Sequence, residues 1–185
     1  QASPEQPLLS QMNPLRLLLL GTAGTGTTHT VQCAVASTRQ TFRDYESVLL
    51  VAHTGVAAAN LGAGARTIDS VFRLGGETAA DDLEGPDLDS FVLEFGNLQL
   101  LVIDEISTVG AAQFEMMSRR LEQLGKSLWR RSRGTEPPPD LGGFGGFAVV
   151  CVGDFAQLPL VKATSLLSTA LPQEGVGSGL RCRAL

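Results

Sequence analysis

The stretch "LLLLGTAGTGTTHTVQ", residues 17–32, decides how the rest of the chain is interpreted. Its four leucines predict a buried strand, and the polar residues after the glycine-rich turn predict a helix. A strand, a glycine loop and a helix in this order are typical of a phosphate-binding loop with the pattern G-x-x-x-x-G-K-[ST]. Gly21, Gly26 and Thr28 fit that pattern, but Thr27 occupies the position of the lysine. The stretch therefore leaves open whether the chain contains a working nucleoside triphosphatase or the remains of one.

The composition indicates one globular domain without a strong charge. The chain has 185 residues, of which 43% are hydrophobic, enough to bury a core. Its net charge is −5 and it contains only two lysines, so bulk attraction to nucleic acid is not expected. The arginine clusters at 118–120 and 129–133 are expected to be solvated, at a helix end and in a loop. No apolar run approaches the ~18 residues of a membrane span, and the three cysteines form no CxxC pair.

Four short apolar runs, at 15–20, 47–52, 98–104 and 147–154, have the length of strands that are buried on both faces. Helix-like stretches separate them, at 27–40, 55–63 and 111–125, the last with Gly125 as its expected end. This alternation predicts an α/β fold, a parallel sheet with helices on both faces. We expect the strand ends at residues 20, 52, 104 and 153 to line one edge of that sheet.

Three other segments break the alternation. The acidic stretch 74–90 and the Pro/Gly-rich stretch 134–146 are predicted to be exposed loops. The segment 163–185 has weak periodicity and is predicted to be a weakly structured tail. The predicted domain therefore spans residues 1–162.

The glycine loop offers backbone N–H groups and the N-terminus of a helix to phosphate oxygens. The residues expected to surround the phosphates are Gly21, Thr22, Ala23, Gly24, Thr25, Gly26, Thr27 and Thr28. The hydroxyl of Thr28 is placed to coordinate Mg²⁺. The alternative is an ordinary glycine-rich turn between a strand and a helix.

Two acids end the third apolar run, "LLVIDEIS" at 101–107. Asp104 is expected to hold Mg²⁺, directly or through water, and Glu105 to polarise the attacking water. The end of a parallel strand would direct both side chains into the phosphate crevice. The alternative is a pair of surface carboxylates. In the fourth run, "VVCVGDFAQLPLV" at 149–161, Gln157 is placed to contact the γ-phosphate.

Four motifs in this order resemble the PIF-one family of 5′-to-3′ DNA helicases of superfamily one, which are related to RecD. "GTAGTGTT" is similar to motif I of that family, "HTGVAAANLGAGARTIDSVF" to motifs Ia and Ib, "DEIS" to motif II and "GGFAVVCVGDFAQLPLV" to motif III. The resemblance covers roughly residues 3–162 and matches only the first RecA-like domain. It implies that the motif III strand lies between the strands of motifs I and II.

The resemblance also implies partners and further site residues. ATP with Mg²⁺ is the implied cofactor, and single-stranded DNA is expected to bind weakly through Thr54, Gly55, Thr67 and Ser70. A second RecA-like domain is the implied partner, since in the family it supplies the arginine finger and half of the DNA track. "SPEQ" at 3–6 is similar to the Q motif, in which Gln6 would recognise adenine, but it also fits a helix start with a capping box. In a eukaryote, the family would be expected in the nucleus or the mitochondrion.

The chain departs from the family at four positions. Thr27 replaces the loop lysine, Asp69 stands where motif Ib usually has histidine, and Leu160 and Thr108 replace a proline and a methionine. Asp69 places an anion near the expected DNA path. Thr27 matters most because lysine donates to the β- and γ-phosphates and offsets the charge of the departing group.

Three functions compete at this stage. The first is the motor domain of an ATP-dependent DNA helicase, with the family's roles in repair, recombination and telomere maintenance, but with little turnover by this chain alone. The second is a non-catalytic nucleotide- or DNA-binding module, or a decayed helicase paralogue. The third is another P-loop ATPase such as a clamp loader, which Gln157 disfavours because those ATPases usually carry a different polar sensor.

Overall fold

The computed structural model describes residues 14–22, 25–62, 64–75, 81–154 and 166. These residues contain a five-stranded sheet with the order β1-β5-β4-β2-β3. The strands are β1 (Arg16–Leu20), β2 (Val48–Ala52), β3 (Arg66–Thr67), β4 (Leu100–Asp104) and β5 (Ala148–Gly153). All neighbouring strands are parallel. The prediction of a parallel sheet is therefore confirmed, and β5 lies between β1 and β4 as the family resemblance implied.

The register of the sheet brings the strand ends together. Leu20 at the end of β1 is opposite Gly153 at the end of β5, and Ala52 at the end of β2 is opposite Asp104 at the end of β4. The four strand ends therefore line one edge, as expected.

Within the described residues, five α-helices connect and cover the strands: α1 (Thr27–Phe42), α2 (Gly55–Leu61), α3 (Ile68–Phe72), α4 (Gly85–Phe95) and α5 (Ala111–Arg133). Alternate residues of the central strands point to two separate apolar clusters. Leu49 and Val51 join the cluster formed with α3, α4 and α5. Val48 and Leu50 join the cluster that contains Val31 and Val35 of α1. The sheet thus carries helices on both faces.

The edge strand β1 is less covered than its sequence indicated. Leu17, Leu18 and Leu20 are 46%, 42% and 55% exposed. Within the described residues β1 pairs only with β5, so it lies at the end of the sheet. The prediction that this run is buried on both faces is wrong for β1.

Helix α5 runs past the residue that was expected to end it. Gly125 lies buried inside the helix, which ends instead at Gly134, where φ is 63°. A Cβ atom on Gly125 would lie 2.5 Å from the carbonyl oxygen of Gly145. Gly125 therefore serves the close approach of α5 to the turn Gly143–Gly146, which Arg16 also holds by donating to the carbonyl oxygens of Gly143 and Phe147.

Both segments predicted to be exposed loops contain ordered structure. Residues 85–90 form the first half of α4, with Pro86 in its first turn, where proline is favoured. In the second segment, Phe144 is buried and its ring centroid lies 5.0 Å from that of Phe114 on α5. Aromatic contact with α5 thus outweighs the turn-forming composition around Phe144.

Arg120 was expected to be solvated, but it is 97% buried, with 3% of its surface exposed. Its Nε donates to the carbonyl oxygen of Phe72 at 3.1 Å, and its Nη1 donates to that of Asp81 at 2.5 Å. The side-chain amide of Gln123 also exchanges two hydrogen bonds with the backbone of Leu83. These side chains of α5 thus hydrogen-bond backbone groups at the end of α3 and in the connection between α3 and α4.

The cluster at 129–133 forms the C-terminal residues of α5, of which Arg130, Arg131 and Arg133 are exposed. Arg130 pairs with Glu136 at 3.0 Å, Arg131 pairs with Asp89 at 2.9 Å, and Arg133 lies 3.9 Å from the ring centroid of Trp129. The positive charge of this cluster is therefore largely offset. None of the helices in the described part of the chain has the length and apolar character needed to cross a membrane.

Gly125→Ala is expected to lower the free energy of unfolding by about 1–2 kcal/mol. Alanine in a helix interior usually adds ~1 kcal/mol of stability, but here its methyl group would meet the carbonyl oxygen of Gly145, and overpacking costs ~1–3 kcal/mol. Urea denaturation followed by circular dichroism measures the change. Gly55→Ala is the matched control, because nothing lies within 4 Å of its Cβ position. A Gly125→Ala variant more stable than wild type would contradict the packing role.

Cys151 is expected to resist alkylation in the folded protein. Burial raises the pKa of the Cys151 thiol to about 12, although Arg16 opposes this rise. At pH 8 the thiolate that reacts with iodoacetamide is therefore scarce as well as shielded. Peptide mapping by mass spectrometry should find Cys33, which is exposed, modified and Cys151 unmodified. Both should react in 6 M guanidinium, and fast native labelling of Cys151 would show that β5 opens readily.

Candidate functional site

The glycine loop leaves β1 and crosses the end of β5. The backbone N–H of Gly21 donates to the carbonyl oxygen of Gly153 at 3.3 Å. The N–H and the hydroxyl of Thr25 both donate to the carbonyl oxygen of Thr22, at 3.2 and 2.8 Å. Gly26 then takes φ 86°, a left-handed conformation that suits glycine, and α1 follows. The loop is therefore anchored at both of its ends.

The N-terminus of α1 is open to an anion. No side chain of the described residues caps it, and its first turn contains no acidic residue. The first N–H groups of a helix lack partners within the helix and carry partial positive charge. Thr28, the second residue of α1, is exposed at this end.

Thr27 lies against the inner part of the loop. A Cβ atom on Gly21 would be 2.6 Å from Cγ2 of Thr27 and 2.5 Å from Oγ1 of Thr25. Gly21 is therefore required for close packing, and Thr27 brings a methyl group and a hydroxyl where the motif usually has a cation. Lys126, the lysine within the described residues, lies on α5 and pairs with Glu122 at 2.6 Å.

Asp104 is the last residue of β4, and Glu105 follows it. Asp104 is half-buried, and burial raises the pKa of its carboxyl group, while a hydrogen bond from the backbone of Glu105 lowers it. Glu105 is exposed and takes φ 50° and ψ 44°, which is costly for a residue with a Cβ. The N–H and the hydroxyl of Thr108 hold this conformation by donating to the carbonyl oxygen of Glu105, each at 2.8 Å.

The end of β5 packs closely against the turn that contains Glu105. A Cβ atom on Gly153 would lie 3.0 Å from the backbone nitrogen of Ile106. Asp154 follows and is half-buried. The glycine loop, Gly153 and the Asp104–Glu105 turn thus form one continuous edge. Among the expected site residues, Gln6, Ala23, Gly24 and Gln157 lie outside the described residues.

The expected DNA-contact residues lie along the same edge. Oγ1 of Thr54 accepts from the N–H of Ala57 at 3.1 Å and caps α2, whose first residue is Gly55. Ser70 Oγ donates to the carbonyl oxygen of Thr67 at 2.8 Å. The parallel pairing of Ala52 with Thr67 places the two segments side by side.

Gln113 connects these two segments, and nothing in the sequence indicated it. Its Oε1 lies 3.1 Å from Nδ1 of His53, and its Nε2 donates to Oδ1 of Asp69 at 2.7 Å. His53 is half-buried. Across the described residues, no three His, Cys, Asp or Glu side chains form a preformed metal site.

Comparisons with known proteins bear on this arrangement. The model of the PIF1-like helicase family matches residues 9–170. The ATP-dependent DNA helicase PIF1 of Danio rerio is 34% identical over 143 residues, which are 76% of this chain and 19% of that protein. The ATP-dependent DNA helicase Pif1 of Bdellovibrio bacteriovorus is 32% identical over 174 residues, which are 89% of this chain and 34% of that protein.

The chain is also similar to solved structures of Pif1. Bacteroides Pif1 bound to single-stranded DNA matches with a TM-score of 0.60 and 28% identity, over 85% of this chain and 32% of that one. Bacteroides Pif1 in complex with ADP-AlF4 matches with a TM-score of 0.60 and 29% identity, over 83% of this chain and 31% of that one. The chain spans about a third or less of the length of these proteins.

Proposed function

Because the chain belongs to the PIF1-like helicase family, we propose that it forms the first motor domain of an ATP-dependent DNA helicase. Its fold is that of a RecA-like P-loop domain. One observation carries the proposal: the register of the sheet brings the glycine loop, the Asp104–Glu105 turn and the segments 53–55 and 67–70 to one edge. ATP and single-stranded DNA would then bind to neighbouring parts of that edge.

The nucleotide phosphates would bind to the loop 21–28 and to the open N-terminus of α1. Backbone N–H groups and the helix dipole favour an anion there without any lysine. Bacteroides Pif1 binds ADP-AlF4 in its crystal structure, which supports a nucleotide at this place. Gln6 would contact the adenine, and Gln157 the γ-phosphate.

Mg²⁺ fits the oxygen donors at this edge. Thr28 would supply a hydroxyl and Asp104 a carboxylate, which with waters and phosphate oxygens make the all-oxygen set that Mg²⁺ prefers. Burial raises the pKa of Asp104, so a nearby cation would offset the cost of keeping this carboxylate ionised. The ion would neutralise charge on the phosphates. Glu105, exposed and fixed by Thr108, would orient the attacking water.

Turnover by this chain alone should be low. Loss of one electrostatic contact to the transition state typically costs ~10²–10³ in rate, and Thr27 supplies no charge in place of the lysine. In the family the arginine finger comes from the second RecA-like domain, which is the proposed partner. An absent finger would cost a further ~10³–10⁵.

Single-stranded DNA would contact the hydroxyls and backbone donors of Thr54, Gly55, Thr67 and Ser70. Bacteroides Pif1 binds single-stranded DNA, which supports this class of partner. Roles in repair, recombination and telomere maintenance follow for the whole protein if it acts as its family does.

A second function competes because of Thr27. The domain could be a non-catalytic nucleotide- or DNA-binding module, or the remnant of a helicase. The close approach of the Thr27 methyl group to Gly21 favours this alternative, since Thr27 packs against the loop without offering a cation to the phosphates.

Thr27→Lys is expected to raise ATP affinity about 10-fold. The new ammonium group would add one charge-assisted hydrogen bond between the loop and the phosphates, worth ~1.5–3 kcal/mol. Turnover should rise less than affinity, because in the family the arginine finger comes from the second RecA-like domain rather than from the first. Fluorescent-nucleotide titration and steady-state hydrolysis measure both quantities.

Two outcomes would decide between the alternatives. If Thr27→Lys gains no affinity, the loop cannot accept phosphates, and the remnant is the better description. Robust magnesium-dependent hydrolysis by the wild type, abolished by Glu105→Gln, would falsify the expectation of low turnover.

The salt dependence of binding to oligothymidine should be shallow. Each phosphate contact with a cation contributes about −0.7 to the slope of log K against log salt for a single strand, and the contact residues are uncharged. We expect a slope no steeper than about −1.5, unchanged in Arg130→Ala/Arg131→Ala, since those arginines pair with Glu136 and Asp89. A slope near −4 that the double variant flattens would move the DNA path to α5.

A further inference from the structure

The contact of Gln113 with both DNA-contact segments carries an inference that rests on the proposed function. His53 follows β2, Asp69 lies on α3, and Gln113 lies in the first turn of α5. The chain separates Gln113 from each of the other two by more than 40 residues. One amide therefore joins the end of β2, α3 and the first turn of α5.

The chemistry of the three groups fixes the direction of the hydrogen bonds. An ionised carboxylate only accepts, so Asp69 requires the NH₂ group of Gln113. The Oε1 of Gln113 must then face His53, and Nδ1 of His53 must carry the proton and donate. Asp69 thus sets the orientation of the amide, and the amide sets the tautomer of the imidazole.

Each end of this chain of bonds lies beside a proposed DNA contact. His53 directly precedes Thr54, whose hydroxyl caps α2. Asp69 lies between Thr67 and Ser70, which are joined by their own hydrogen bond. One carboxylate oxygen of Asp69 accepts a hydrogen bond from Gln113.

Gln113 is also close in sequence to the catalytic turn. Thr108 donates twice to the carbonyl oxygen of Glu105, Val109 donates to that of Ile106, and α5 begins two residues later, at Ala111. A shift of the Glu105 turn would therefore move the first turn of α5, and Gln113 with it.

We propose that Gln113 is a positioning residue that holds the segments 53–55 and 67–70 in place for single-stranded DNA and ties them to the turn at Asp104–Glu105. It touches neither nucleotide nor DNA, and it acts through His53 and Asp69. Asp69, which replaces the usual histidine of motif Ib, is then an anchor for the Gln113 amide.

The test compares two glutamines of the same helix. Gln113→Ala should weaken oligothymidine binding about 5- to 10-fold, and should speed amide exchange about 10-fold at Ala57, Ala58 and Leu74, whose N–H groups bond to Thr54 and Asp69. Gln123→Ala removes an equivalent amide that holds Leu83. It should leave both readings within about 2-fold of wild type while affecting stability to a similar degree.

A charge-matched exchange separates positioning from general damage. Gln113→Glu keeps the size of the side chain but sets a second carboxylate against Asp69, so it should weaken DNA binding at least as much as alanine does. Adding Asp69→Asn reverses the donor and the acceptor and restores the net charge, so the double variant should recover most of the affinity.

The results that overturn the inference differ from those that overturn the proposed function. Wild-type protein that fails to bind oligothymidine at low salt contradicts the proposed function and this inference with it. Wild-type binding that survives Gln113→Ala, or that falls equally in Gln123→Ala, contradicts the inference alone. A double variant no better than Gln113→Glu would also overturn it.

Discussion

The parallel register of the sheet is the constraint on which the rest of the structure depends. Because Leu20 is opposite Gly153 and Ala52 is opposite Asp104, the segments that leave these strands begin at one edge. The glycine loop, the Asp104–Glu105 turn and the segment 53–55 need no direct bonds to one another to be neighbours. The sheet is held in turn by two apolar clusters, one on each face. The packing of the core therefore also determines where the segments at this edge lie.

At this edge, two glycines allow close contacts because glycine has no Cβ atom. Gly21 admits the side chains of Thr25 and Thr27, and Gly153 admits the backbone of Ile106. The strained conformation of Glu105 persists between these contacts. These contacts set the shape of the described part of the glycine loop, while Thr27 supplies no positive charge there. Shape and charge at this edge are therefore determined by different residues.

Local patterns predicted the four long strands, their direction and the helices α1, α2 and α5, because apolar runs and turn residues act over short distances. The strand order came from the family resemblance. Apart from the start of α4 at Gly85, the main failures involve partners distant in sequence. Arg120 is buried because it donates to the carbonyl oxygens of Phe72 and Asp81. Gly125 lies inside a helix because Gly145 packs against it. Gln113 is invisible to sequence reasoning for the same reason, since its two partners lie on other elements.

The pairing of β1 with β5 has a consequence for how the chain is made. The strand that leads into the glycine loop finds its partner some 130 residues later, since Arg16 pairs with Val149. Closing so long a loop is entropically costly and slows folding. On the ribosome, β2, β3 and β4 can pair as they emerge, but β1 must wait for β5. Until β5 is made, none of the other described strands pairs with β1, so its leucines are expected to stay exposed during synthesis.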